Sequence, residues 1–249
     1  MRRAIRFCVL GSTAAVLLTG CTALPISAPA LTHEVVLSAP AGTADAVAAQ
    51  LGHRLDVAEI TERRIVTAGD TVTVRYNPPQ KAGKDVEVRE ELFRAPGAFG
   101  IRPVTAVGTD AAAVTECGKD DAACTVTTDD HEVLELGPAG VTEKDLRTVK
   151  AVNVQNQWGL QVDFTKPGAD AFATLSGQAA CEQDPELKRM AILLDGKLLA
   201  APTLQLECGQ SLSDSVQISG GFDRDKAAQY SALMGTSLPD GVEIVSSKP

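Results

Sequence analysis

Hydrophobic positions along this chain alternate in short runs and recur at helical spacing in longer ones, and the same order of runs occurs twice. In the first half, Glu34 to Leu37 reads as a strand. Thr43 to Leu55 reads as a helix, because Val47, Leu51 and Leu55 recur at i, i+4 and i+8. Ile60 to Val66 alternates, Gly69-Asp70 turns, and Thr71 to Tyr76 alternates again with Val72 and Val74 on one face, which predicts a hairpin. Asp85 to Phe93 suggests a short helix and Phe99 to Val104 a further strand.

The second half repeats that order. Val149 to Phe164 is rich in strand formers, with Trp158, Leu160, Val162 and Phe164 alternating, and Gly168 to Ala180 has helical spacing with Phe172 inward. Met190 to Leu194 and Leu198 to Leu206 flank Asp195-Gly196, a dipeptide suited to the positive φ of a two-residue type I′ turn. Val216 to Ile218 extends the sheet, and Asp223 is placed to cap a helix carrying Ala227, Tyr230, Leu233 and Met234. Val242 to Val245 closes as a strand. Gly108 to Gly140, between the halves, is polar, acidic and loop-like. The expected fold class is α+β, with two βαββαβ (ferredoxin-like) units and mixed or antiparallel sheets.

The N-terminus has a different character. Arg2, Arg3 and Arg6 precede a short apolar stretch, Phe7 to Leu18, well below the roughly 20 residues that cross a hydrocarbon core. Charge, a short apolar run and then small residues form a secretory signal. Leu18-Thr19-Gly20-Cys21 resembles the bacterial lipobox, which implies cleavage before Cys21 and a diacylglycerol thioether on its sulfur. The expected organisation is a signal peptide over 1–20, a tether over 21–32, an α+β unit over 33–108, an acidic linker over 109–148 and a second α+β unit over 149–247. The expected location is the extracytoplasmic face of a cell membrane, held by lipid.

Aromatics make up only 4% of residues, so the core must be built from Val, Leu, Ile and Ala. The formal charge is −9, with 32 acidic against 23 basic residues, and loss of the three leader arginines makes the balance more acidic. Binding nucleic acid requires clustered cations that displace phosphate counterions, so nucleic acid is excluded as a partner. Four cysteines follow Cys21: Cys117, Cys124, Cys181 and Cys208. An even number in an exported chain points to disulfides, for which sequence alone admits three pairings. Cys117 and Cys124 bracket a short polar loop, whereas Cys181 and Cys208 flank the Asp195-Gly196 hairpin, which favours 117–124 with 181–208.

Candidate chemistry is sparse. Nucleophile elbows, P-loops, HExxH and GxGxxG are absent from the sequence. Asp129-Asp130-His131-Glu132 and the pair Asp120-Asp121 read as solvated acidic loops, and His53 reads as a surface residue. No catalytic residue, metal site or cofactor is expected. Trp158, the single tryptophan, fits the core of an alternating strand, or the lining of an apolar groove.

Several segments are similar to one family. Trp158-Gly-Leu-Gln-Val-Asp-Phe164 followed by Gly168-Ala-Asp-Ala-Phe172 resembles the strand and helix opening the head of the first large periplasmic domain of SecD and SecDF. Ile192 to Pro202 resembles that domain's LDG hairpin, and Ile218 to Phe222 with Ala227-Ala228 and Ser237-Leu238-Pro239 resembles its close. Leu51 to Val66 and Ile101-Arg-Pro-Val104 are weaker matches upstream. Thr236 stands where the family has glycine, and the family's GLDLxGG segment is missing. The resemblance implies a base-like first unit, a head-like second unit and a non-enzymatic accessory or polypeptide-binding module of protein export. Its partners would be exported polypeptides or components of the Sec translocase, without the membrane motor. The alternative is a cell-envelope lipoprotein using the same scaffold for a small ligand or another envelope protein.

Overall fold

Strand β1 (His33–Ser38), helix α1 (Ala44–Val57) and the hairpin of β2 (Arg63–Ala68) and β3 (Thr71–Tyr76) come first. A small ladder of β4 (Gln80–Lys81) and β5 (Lys84–Asp85) leads to a 3-10 turn at Glu90–Phe93. Strands β6 (Phe99–Gly108), β7 (Cys124–Thr127), β8 (Val133–Leu136) and β9 (Val141–Thr142) precede a long hairpin, β10 (Leu146–Val154) and β11 (Gln157–Phe164). Helix α2 (Lys166–Ala180), β12 (Met190–Leu194), β13 (Lys197–Ala200), β14 (Ser215–Phe222), α3 (Arg224–Gly235) and β15 (Glu243–Lys248) follow. This computed structural model describes residues 30–94, 98–108, 117–118, 122–236 and 238–249, so the segment expected to be a signal peptide and Cys21 lie outside the described residues.

Local chemistry accounts for the helices. Val47, Leu51 and Leu55 are all fully buried on α1, as their spacing requires. Thr165 caps α2 by accepting from the Gly168 amide at 3.2 Å, with Pro167 in the first turn, where its missing N–H costs nothing. The Asp223 carboxylate accepts from the Lys226 amide at 2.8 Å and starts α3. The region Asp85 to Phe93 does not form the expected α-helix. It holds the β5 strand and then only the single 3-10 turn, whose Leu92 and Phe93 are buried.

The strands are antiparallel throughout, but they do not divide into two separate βαββαβ units. One four-stranded sheet has the order β15-β1-β3-β2, so the last strand of the chain pairs with the first. Strand β6, expected to complete the first unit, instead pairs with β12 of the second half and with β8. The reason is the main core, which draws on both halves: Leu37, Leu51 and Val74 share one cluster with Leu160, Phe172 and Leu233. Ile244 of β15, paired with the buried Leu37 of β1, packs against that cluster, whereas Val245 on the other face of the strand is exposed.

The stretch expected to be a loop from Gly108 to Gly140 contains β7 and β8. They carry a second, smaller core of Val104, Cys117, Cys124, Val126, Leu134, Leu136, Ala191 and Leu193. Strand β12 separates the two cores. Met190, Ile192 and Leu194 face the main one while Ala191 and Leu193 face the smaller, and every β12 residue is buried. A strand covered on both faces reads as an unbroken apolar run, and Met190 to Leu194 is one.

Both disulfides join the pairs favoured by position, Cys117–Cys124 and Cys181–Cys208, with Cα–Cα distances of 5.1 and 4.3 Å. The first closes a loop spanning 7 positions and the second one spanning 27. In the loop-entropy account these contribute about 2 and about 3–4 kcal/mol respectively. The shorter loop is also clasped from inside. Arg102, 3% exposed, donates from Nη1 to the Ala122 carbonyl at 2.7 Å and from Nη2 to the Gly118 carbonyl at 3.4 Å.

Candidate functional site

Helices α1 and α3 and the β10–β11 hairpin enclose an open groove of about 680 Å³. One wall comes from α1, where His53 and Val57 lie one turn apart. The opposite wall is β10 with Trp158 of β11, placed by pairing of Trp158 with Asn153 on one side and Phe222 on the other. The floor is the small-residue face of α3, Ala228, Ser231 and Gly235. Their size leaves the space open, and the Ser231 hydroxyl donates to the Val149 carbonyl at 3.0 Å, fixing the helix along β10. A second, smaller hollow of about 260 Å³ shares Arg147, Thr148, Val149 and Gly235 with the groove and continues it towards Leu146, Leu233 and Met234.

Trp158 is partly exposed yet packed on the main core, so it belongs to both settings considered from its alternation. Arg224 and His53 line the groove, while Lys150, paired with Gln161 on the face of β10 opposite Trp158, and Arg147 turn towards Asp163. Glu59 is the acidic lining residue, and it accepts from Arg224 at 2.6 Å. Asp163, on β11, accepts from the Thr148 hydroxyl at 2.6 Å. That hydrogen bond, with help from Gln161, Arg147 and Lys150, holds its carboxyl below the usual range, so it stays ionised.

The deepest polar residue next to the groove is Arg54, which is fully buried. Its Nη1 donates to the carbonyls of Leu92 at 2.9 Å and Arg94 at 2.8 Å, and its Nη2 to the carbonyl of Thr236. Burial pushes its pKa down to about 10, against a favourable field from Asp195, so the guanidinium remains charged at neutral pH. Thr236 has φ −141, an extended conformation open to any residue, so the absence of glycine there carries no backbone cost.

Of the other residues singled out in the sequence, His53 is exposed on the groove wall. Asp129 to Glu132 form the turn between β7 and β8, with Glu132 accepting from Arg189 at 2.7 Å. Asp120 and Asp121 lie outside the described residues. Among the described residues, no three His, Cys, Asp or Glu side chains gather at metal-binding distance. Also among them, no helix is long and apolar enough to cross a membrane. The groove's α1 wall could not be found from sequence, since it depends on packing of α1 against α3 across more than a hundred residues.

Residues 123–239 match the family model of the SecDF P1 head subdomain. The match begins inside the stretch that composition marks as a linker, at the start of β7. The chain is 31% identical over 122 residues to the protein translocase subunit SecD of Streptomyces coelicolor, covering 45% of this chain and 20% of that protein. It therefore spans about one fifth of the curated relative it matches. A crystal structure of SecDF in its super-membrane-facing form superposes with a TM-score of 0.54 at 18% identity, covering 86% of this chain and 30% of that one. A second structure, described as SecDF, a membrane component that enhances protein export, gives 0.51 at 18% identity, covering 87% and 99%. At that identity the superpositions establish the fold alone. Together with the family match, they establish the resemblance to the SecD and SecDF periplasmic head.

Proposed function

We propose, from a SecDF head subdomain that carries an open groove beside Trp158, that this chain is an extracytoplasmic accessory of protein export. It holds segments of exported polypeptide by contact, without turnover, while lipid on Cys21 keeps it at the membrane surface. The observation that carries the reading is the coincidence of the head match with the groove: β10, β11 and α3, which form most of its lining, all fall within residues 123–239. An extended groove bounded by a strand and an aromatic side chain suits a chain segment, whose backbone is the same whatever its sequence. Such contacts are weak and broad, as befits a protein that must release what it holds.

A photo-crosslinking residue in place of Ala151, on the groove wall, tests the reading in intact cells. Exported polypeptides or Sec components are expected among the adducts. Adducts confined to one defined envelope protein, or blocked by a saturating small molecule, would move the assignment to the alternative lipoprotein role. The anchor has its own test: Cys21→Ser is expected to abolish incorporation of a fatty-acid analogue, because the thiol is the acylated group. Label retained on the serine variant would remove the lipid from the account.

A further inference from the structure

We infer that the groove takes an extended polypeptide segment as a fourth strand along the free edge of β10, a binding mode that rests on the polypeptide-binding reading above. Strand β10 ends its sheet, whose order is β10-β11-β14, and among the described residues it pairs with β11 alone. The consecutive residues Arg147, Thr148, Val149, Lys150 and Ala151 all line the groove. Side chains of a strand alternate between its faces, so one face cannot supply an unbroken run. Thr148 and Lys150 lie opposite Asp163 and Gln161, on the face away from Trp158, and what they turn to the groove is main chain.

The hairpin fixes which main-chain groups face outward. Its two-residue turn, Gln155-Asn156 with φ of 51 and 63, closes on Val154 opposite Gln157. In a type I′ hairpin that closing pair exchanges hydrogen bonds, and bonded and non-bonded pairs alternate from there. Val152 and Lys150 are therefore bonded to β11, whereas Val149, Ala151 and Asn153 direct N–H and C=O away from it. The Ser231 hydroxyl agrees with this phase, since it reaches the outward Val149 carbonyl at 3.0 Å. Among the described residues, the outward groups of Ala151 and Asn153 have no hydrogen-bond partner. Ala151 is half-buried and Asn153 exposed. Donors and acceptors repeating every second residue along an open edge match the backbone of another extended chain. The residues of that chain opposite Ala151 and Asn153 make its bonds to β10. Their side chains point to the face of Trp158, where Val57 and Ala228 line the groove. The segment recognised is therefore one with apolar residues at alternate positions, and those same residues carry the amides that bond the edge.

Backbone methylation of the ligand tests this mode, because it removes an N–H and leaves the side chain. An unfolded, tryptophan-free peptide of alternating apolar and polar residues is titrated against the full-length protein in mild non-ionic detergent. Trp158, the only tryptophan in the chain, gives the binding curve, and amide exchange reports on β10. Two derivatives of the peptide carry equal numbers of N-methyl groups, one on its apolar and the other on its polar residues. Methylation of the apolar residues is expected to weaken binding at least about tenfold, and methylation of the polar residues by less than about threefold. In the free protein the Ala151 and Asn153 amides are expected to exchange quickly beside protected amides at Lys150 and Val152, and to slow on binding. Ala151→Pro removes an outward N–H at an edge position and spares the ladder to β11, so it is expected to weaken binding several-fold. If that variant fails to fold, the two derivatives still decide. Equal weakening by both, or greater weakening by the polar set, overturns edge addition and leaves polypeptide binding standing. Ala151 and Asn153 amides already protected in the free protein, increasingly with its concentration, would give the edge to a second copy and overturn the proposal. Absence of binding by the unmodified peptide at millimolar concentration overturns both readings.

Discussion

Gly196→Val is expected to destabilise the protein by at least about 3 kcal/mol, far outside the ordinary range of surface substitutions. Two independent costs combine there. Asp195 and Gly196 have φ of 53 and 72, the left-handed pair of a type I′ turn joining Leu194 to Lys197. A β-branched residue held in that region costs roughly 1–3 kcal/mol. In addition, a Cβ on Gly196 would lie 2.4 Å from the backbone carbonyl oxygen of Cys117, an atom that no side-chain rotation can move. The turn therefore abuts the first disulfide loop, and the substitution must displace one or the other. For a unit of this size, 3 kcal/mol corresponds to a fall in Tm of roughly 6–12 °C. Gly69→Val is the control: it stands in the β2–β3 hairpin turn with φ 58 and nothing within 4 Å of its added Cβ. Thermal denaturation of both variants separates strain from collision. Equal losses would mean that the Cys117 contact contributes nothing.

That turn was legible because its information is local. Asp-Gly between two apolar runs specifies a hairpin, and Asp223 before an apolar period specifies a helix start, without reference to the rest of the chain. The disulfide pairs belong with these, since each joins cysteines that hairpin and loop already bring close. What could not be read depends on distant partners. Nothing in Val242 to Val245 distinguishes a strand that closes the second half from one that crosses back to pair with Val35 and Leu37 of β1. The β10–β11 hairpin was hidden in a continuous run because its turn is Gln155-Asn156, with φ of 51 and 63, rather than a glycine-containing pair. Asparagine tolerates that conformation and was the one available signal. Strands β7 and β8 were masked by the acidic residues around them, although Val126, Leu134 and Leu136 already carried the alternation of their buried faces.

Arg54 is the residue whose role sequence reading missed altogether, since a charged side chain beside His53 reads as surface. It is also the residue whose loss should be felt most widely. Arg54→Ala is expected to cost about 3–5 kcal/mol, because it empties a fully buried volume, leaves the buried Leu92 carbonyl without its donor and takes a donor from the partly buried carbonyls of Arg94 and Thr236. Those acceptors belong to the 3-10 turn of the first half and to the end of α3 in the second, so one guanidinium ties the halves together beside the groove. Arg54→Lys keeps the charge but gives up the planar fork that serves three carbonyls at once, and its loss should be intermediate. Urea denaturation measures both, and a cost below about 0.5 kcal/mol for the alanine variant would show that the carbonyls find other donors. Thr236 also lines the groove, so loosening the Arg54 contact should reach the groove before global unfolding does. Trp158 emission is then expected to shift at lower urea than the far-ultraviolet circular dichroism in Arg54→Lys, whereas the two should coincide in the unaltered protein. Coincident transitions in the lysine variant would confine Arg54 to holding the fold and remove it from the shaping of the groove.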